Sequence, residues 1–252
     1  MHKKGQITAF VIVGIVIAAA IILVLYLRGQ FFLGPVTPEN LQTRFEPIRE
    51  HVEGCLAKIG SPLIEKIGIQ GGYLSSHEST YRMKNSVPIS YLCYDVPDQD
   101  ICSNRMLTLN SMEDELAKAI NTGLMNCLNL KQFEKGFDIR VLPNYNTEVS
   151  IGEDNVLLTL NMATILSKGG TDAREDKFQT SLKYPLGRLY NVAQDIINVE
   201  AQYGDFEQLN YMLAKKGQYV INKDKPYPDK LYVLQTKDSK YIFQFFIEGE
   251  PN

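Results

Sequence analysis

The stretch ITAFVIVGIVIAAAIILVLYL, residues 7–27, decides the architecture of this chain. It runs for 21 residues with only Thr8 and Tyr26 carrying polar groups, and Lys4 and Arg28 are the nearest flanking charges. At about 1.5 Å of rise per residue a helix of this length covers roughly 30 Å, the thickness of a hydrocarbon core. In lipid each backbone N–H and C=O needs an internal partner, which a helix supplies, and no proline interrupts the run. A buried core helix is the competing reading, but core helices are amphipathic and rarely hold so many apolar residues in succession. The reading is therefore a basic leader over residues 1–5, a transmembrane helix over 6–33, a linker at 34–38 and an extracytoplasmic domain over 39–252, with possible subdomains 39–135 and 136–252.

Orientation follows from the flanks. Lys3 and Lys4 precede the run and Arg28 alone follows it closely, which favours a cytoplasmic N-terminus and an exported remainder. Setting aside those three cations leaves 23 basic against 29 acidic side chains, a net charge of −6 from Gly29 onward. An acidic domain gives no reason to expect nucleic-acid binding.

All four cysteines, Cys55, Cys93, Cys102 and Cys127, lie in the exported part, where an oxidising compartment lets an even number pair. Zinc is the alternative, yet there is no C-x-x-C pair, and only His51 and His77 lie outside the N-terminal tail. Four cysteines allow three pairings. Cys55–Cys127 with Cys93–Cys102 is preferred, because Cys93 and Cys102 enclose one hairpin-like loop and the other two lie on apolar helix stripes.

Export leaves three fates for the N-terminus: removal of the whole segment, trimming ahead of it, or retention. Ala18, Ala19 and Ala20 suit a signal peptidase but fall in mid-run, and no cysteine follows the run closely enough for a lipoprotein site. Lys3-Lys4-Gly5-Gln6 directly before the apolar helix resembles the archaeal class III signal peptide of type IV pilin-like and archaellin-like proteins. The resemblance implies a prepilin peptidase cutting between Gly5 and Gln6, with the apolar helix kept on the mature protein. Many pilins place a glutamate at the fifth mature position, where this chain has Phe10. An intact signal anchor therefore stays open beside the trimmed one. The exported domain is also similar to a group of uncharacterised archaeal membrane-anchored proteins, through Glu53-Gly54-Cys55-Leu56, Gln70-Gly71-Gly72-Tyr73, Leu186-Gly187-Arg188 and Tyr190-Asn191.

Along the exported part, Thr37-Pro38-Glu39 reads as a helix start. Leu41, Phe45, Ile48, Val52, Cys55 and Ile59 form an apolar stripe that predicts a helix kinked at Pro47 and ending near Gly60. Residues 71–109 are irregular apart from a short strand at 87–94. Asp95, Asp98 and Asp100 fail the order and glycine of a calcium loop. Ser111 before Glu113 and Asp114 predicts the N-cap of another helix, with Leu116, Ile120, Leu124 and Cys127 on one face. From Gly136 the period changes to two: Phe137, Ile139 and Val141, then Val149 and Ile151, then 155–165 and 177–184 predict antiparallel strands. Pro185 opens a helix burying Leu186, Leu189, Ala193, Ile196 and Ile197, a shorter helix spans 205–214, and 231–235 with 240–247 make a hairpin whose Tyr241, Phe243 and Phe245 share one face. The fold class is α+β, helices packed on antiparallel sheet.

No H-E-x-x-H, G-x-S-x-G, P-loop or dinucleotide fingerprint occurs. His51 reads as a solvated helix-surface histidine, Glu113 and Asp114 as capping acids, and Lys215, Lys216, Lys223, Lys225 and Lys230 as a solvated basic patch. No N-x-[ST] sequon is present. The expectation is a non-catalytic cell-envelope protein without cofactor or metal. Its expected partners are the lipid bilayer, a prepilin peptidase and pilin-like or other envelope proteins; a tethered ligand-binding module is the alternative.

Overall fold

The computed structural model describes residues 15–24, 43–75, 80–95 and 102–249. Residues 15–24, the described part of the apolar run, are helical with every side chain exposed. The rest of the run, the linker and the expected helix start at Thr37 lie outside the described residues. Among those described, no helix is long and apolar enough to cross a membrane.

Helix α1 (Glu46–Ile69) buries Ile48, Val52, Cys55, Leu56, Ile64 and Ile67 along one stripe. Thr43 and Arg44 are helical, a turn at Phe45 interrupts them, and Pro47 sits in the first turn of α1, so the break in the helical run falls just ahead of the proline that predicts a kink. The expected end near Gly60 is corrected, for α1 continues through Gly60, Ser61 and Pro62 to Ile69. Gly60 is a packing glycine: a Cβ there would stand 2.4 Å from Leu158 Cδ1. Gly68 is tighter against rigid atoms, 2.3 Å from the Ile242 carbonyl oxygen, whereas a Cβ at Gly54 meets nothing within 4 Å. Gly68→Ala is therefore expected to cost about 1–3 kcal/mol through overpacking. Gly54→Ala should stabilise by about 0.5–1 kcal/mol through helix propensity. Urea midpoints of the two variants should move in opposite directions, and movement in the same direction contradicts this packing.

After α1 the chain turns through Gly71 and Gly72, at φ +75° and +93°. The left-handed backbone suits glycine, and a Cβ on Gly72 would also strike Met112 Cε at 2.5 Å. The turn is fixed by the Ser90 N–H, which donates to the Gln70 carbonyl at 3.3 Å.

The first sheet has six strands: β1 (Tyr81–Lys84), β2 (Val87–Asp95), β3 (Cys102–Asn104), β8 (Tyr219–Asp224), β9 (Lys230–Thr236) and β10 (Ile242–Ile247). Its order is β1-β2-β10-β9-β8, with β3 beside β2; all pairs are antiparallel except β2 with β10. Tyr241, Phe243 and Phe245 are buried in the main core, as their alternation predicts. The opposite face holds a smaller cluster of Ile89, Leu231 and Phe246. Lys84 on β1 pairs with Asp224 on β8 at 3.0 Å. Four strand spacings of about 4.8 Å would hold these ends about 19 Å apart in a flat sheet, so the sheet curls around Phe246 until they meet.

The second sheet is built on the long strand β6 (Val156–Lys168). Strand β7 (Thr171–Leu182) pairs with it over most of its length. The same β6 residues face β4 (Asp138–Val141) and β5 (Asn146–Ile151), which follow one another along its other edge. Helix α2 (Leu109–Leu124) packs on β5, and α1 spans both sheets. A single cluster of buried side chains draws on both. Helices α3 (Leu186–Tyr203) and α4 (Gln208–Ala214) complete the order, α3 burying the five residues its period predicts.

Other expectations shift. Thr108, not Ser111, caps α2, its Oγ1 accepting from the Ser111 N–H at 3.2 Å. Cys127 lies in the turn beyond α2. Within residues 71–109, expected to be irregular, β1 joins β2 through Asn85 and Ser86, both at positive φ, a two-residue hairpin turn.

Candidate functional site

Of the residues singled out in the sequence, Lys3, Lys4, Gly5, Gln6 and Phe10 lie outside the described residues, as do His77, Asp98 and Asp100. The cysteines form two disulfide bonds. Cys55–Cys127 ties the buried stripe of α1 to the turn after α2, with Cα atoms 5.8 Å apart; Cys93–Cys102 joins β2 to β3 at 5.2 Å. Among the described residues no group of three or more His, Cys, Asp or Glu side chains could hold a metal ion.

His51 is half-buried rather than solvated, because α1 lays it against Phe133, ring centroids 5.4 Å apart. Its Nε2 stands 4.0 Å from Cys55 Sγ. Glu113 is not a capping acid: it lies a turn too late, and its Oε1 accepts the Ile151 N–H at 2.8 Å, fastening α2 to β5.

The solvated basic patch is the largest correction. Lys215, Lys216 and Lys225 are exposed, but the side chains of Lys223 and Lys230 are only 4% and 18% exposed and turn into an ionic cluster around Glu200. Glu200, on the buried face of α3, accepts from Lys230 Nζ at 2.6 Å and from the Phe206 N–H at 3.1 Å, and the Tyr232 hydroxyl donates to its Oε1. Lys223 Nζ donates to Asp205 Oδ1 at 2.5 Å and to the Phe206 carbonyl at 2.9 Å. That bond holds the Asp205 carboxyl below its ordinary range. Charges and hydrogen bonds are matched, so the cluster clamps the end of α3 to β8 and β9 and offers no reactive group.

Burial first, then the bond to Glu200, raises the Tyr232 hydroxyl well above the ordinary tyrosine value, and burial does the same for Tyr241. A raised folded-state value means stability is full below the unfolded value, about 10, and falls as pH rises past it. In a titration followed at 295 nm these two tyrosines should ionise only together with unfolding. Smooth titration of every tyrosine in a still-folded chain contradicts their burial.

The most promising surface for a ligand lies where the two sheets meet. Two adjoining depressions, of about 570 and 430 Å³, share Lys183 and Ser239. One is lined by Arg188, Asp154 and Asn155, the other by Tyr184, Glu65 and Tyr241. Gly187 lets the β5–β6 turn seat on the start of α3, since a Cβ there would lie 2.4 Å from the Gly152 carbonyl oxygen. The adjacent Arg188 then pairs with Asp154 and, at 3.4 Å, with Asp238 of the β9–β10 turn. Among the described residues its Nε, which is buried, has no hydrogen-bond partner. Tyr184 donates to Glu65 at 3.0 Å and meets Tyr241 edge-on at 5.2 Å. Guanidinium, amine, carboxylate and hydroxyl groups beside an aromatic ring suit a small polar ligand; no nucleophile–base pair is among them. Sequence reading missed this groove because its residues spread from Glu65 to Ile242 and meet only in the folded chain.

No protein family, curated protein or solved structure matches this chain.

Proposed function

We propose that this protein is a non-catalytic, single-pass, membrane-anchored cell-envelope protein of type IV pilin-like kind, a minor or tip filament subunit or a surface-tethered structural protein. The observation that carries the reading is the uninterrupted apolar run of residues 7–27 directly after Lys3-Lys4-Gly5-Gln6. Such a run is stable as a lipid-embedded helix, and the basic pair holds its N-terminus in the cytoplasm. Two disulfide bonds fit a domain that folds in an oxidising compartment. A domain this large suits a minor or tip position better than a repeated main subunit.

The test is the mature N-terminal residue. Intact mass of membrane-extracted protein should correspond to a chain beginning at Gln6; a chain that still begins at Met1 removes the prepilin-peptidase version and leaves an intact anchor. Recovery of the full chain from the cytosol without detergent removes both.

A second reading, a tethered module that binds a ligand or envelope partner outside any filament, is favoured by the groove around Arg188 and by Phe10 in place of an acid. Sheared surface filaments probed with antibody to the exported domain separate the two: labelling supports the filament subunit, and its absence supports the module.

A further inference from the structure

Helix α4 differs from α1, α2 and α3 in having no buried residue. Its inward side is thin: the Tyr211 hydroxyl donates to Asp195 at 2.7 Å, and Met212 Sδ accepts the Ile221 N–H at 3.2 Å. Leu209 and Leu213, one helical turn apart and so on one side, are 63% and 77% exposed. Tyr203, at the end of α3, is 71% exposed. Lys215 and Lys216 follow at once and are exposed, with Lys215 Nζ 5.3 Å from the Tyr211 ring centroid. Large apolar side chains held out in water beside lysines are the composition of a segment that lies in a headgroup layer.

We infer that α4 with Lys215 and Lys216 is a membrane-contact surface that seats the exported domain on anionic lipid of its own bilayer. The inference rests on the tethered reading above. Charge selects the occupant: the chain from Gly29 onward carries a net −6, so an anionic surface repels the domain as a whole and admits it at this basic, apolar end. A second copy, which is also acidic, is the rival occupant, and the dependence of the signal on protein concentration tells the two apart. Reach is sufficient, because the 15 residues between Leu27 and Thr43 can span up to about 50 Å.

The chain contains no tryptophan, so Leu213→Trp installs a single reporter at a site already exposed. The full-length variant is placed in lipid nanodiscs with brominated acyl chains. In discs containing phosphatidylglycerol, a blue-shifted emission with about twofold loss of intensity is expected. Lys215→Glu with Lys216→Glu should return it to the spectrum of a water-exposed indole. Leu209→Trp should behave like Leu213→Trp, and Met125→Trp, 76% exposed beside α2, should stay water-like. A water-like indole at 213 in anionic discs overturns the inference, as does equal quenching in zwitterionic discs. So does a blue shift without quenching that grows with protein concentration, which marks contact with a second copy. Failure of the chain to co-elute with discs at all overturns the tethered reading instead, so the two failures are told apart.

Discussion

Glu200→Ala is expected to lower the stability of the fold by about 3–5 kcal/mol, the cost of breaking a buried ion pair from one side. The Glu200 side chain is 1% exposed, and its removal strands the Tyr232 hydroxyl and the Phe206 N–H and leaves the Lys230 ammonium only the Gly204 carbonyl and the more distant Asp205, at 3.7 Å. Glu200→Gln should cost less than alanine, because the amide oxygen still accepts two of those bonds while the ammonium loses its counter-charge. Lys223→Met should also cost less, since its partner Asp205 is 48% exposed and water can solvate it. Arg174→Ala is the surface control: its pair with Asp176 is more than half exposed on both sides and should contribute about 0–1 kcal/mol. Urea unfolding at constant slope reads all four. If Glu200→Ala unfolds within about 1 kcal/mol of the parent, the carboxylate is not the centre of the clamp.

Glu200 also shows why parts of the fold escape a reading of the sequence. On α3 the period of 3.6 picks out Leu186, Leu189, Ala193, Ile196 and Ile197, and burial by apolar contact follows such periods. Glu200 sits on the same buried face but reads as polar, because the lysines that neutralise it come 23 and 30 residues later on β8 and β9. Short strands fail for a related reason. Burial alternates along both β8 and β1, but Lys223, Arg82 and Lys84 occupy inward positions, so no apolar alternation shows in the sequence; both are held by pairing with a longer neighbour. Gly60-Ser61-Pro62 is a local stop signal that tertiary packing overrides, with Leu158 filling the space where a side chain would stand. The long strand β6 and the hairpin of β9 and β10 were legible because their side chains alternate into one core. The groove around Arg188 was not, since a surface assembled from four distant segments leaves no spacing to recognise.

Cys55→Ala with Cys127→Ala is expected to cost about 4 kcal/mol, more than the roughly 3 kcal/mol for Cys93→Ala with Cys102→Ala. The first bridge spans 72 residues and the second 9, and a longer closed loop removes more freedom from the unfolded chain. Position does not separate the two bridges, because Cys55 is 3% and Cys93 0% exposed, both in the main core, and alanine leaves space at either. The difference rests on loop length. The paired alanine variants keep thiols out of the comparison, and thermal unfolding at matched pH ranks them. An equal or reversed order means that strain or residual structure in the unfolded chain outweighs loop closure. The same bridges connect stability to export. A domain with its longest cross-link reduced would be several kcal/mol weaker, a large fraction of the 5–15 kcal/mol that domains possess. Protein made in a reducing cytosol should therefore unfold at lower urea than protein recovered from the envelope, and the two should converge once air oxidation has consumed the free thiols. Unchanged midpoints in the reduced form would make the bridges incidental and remove their support for an exported domain.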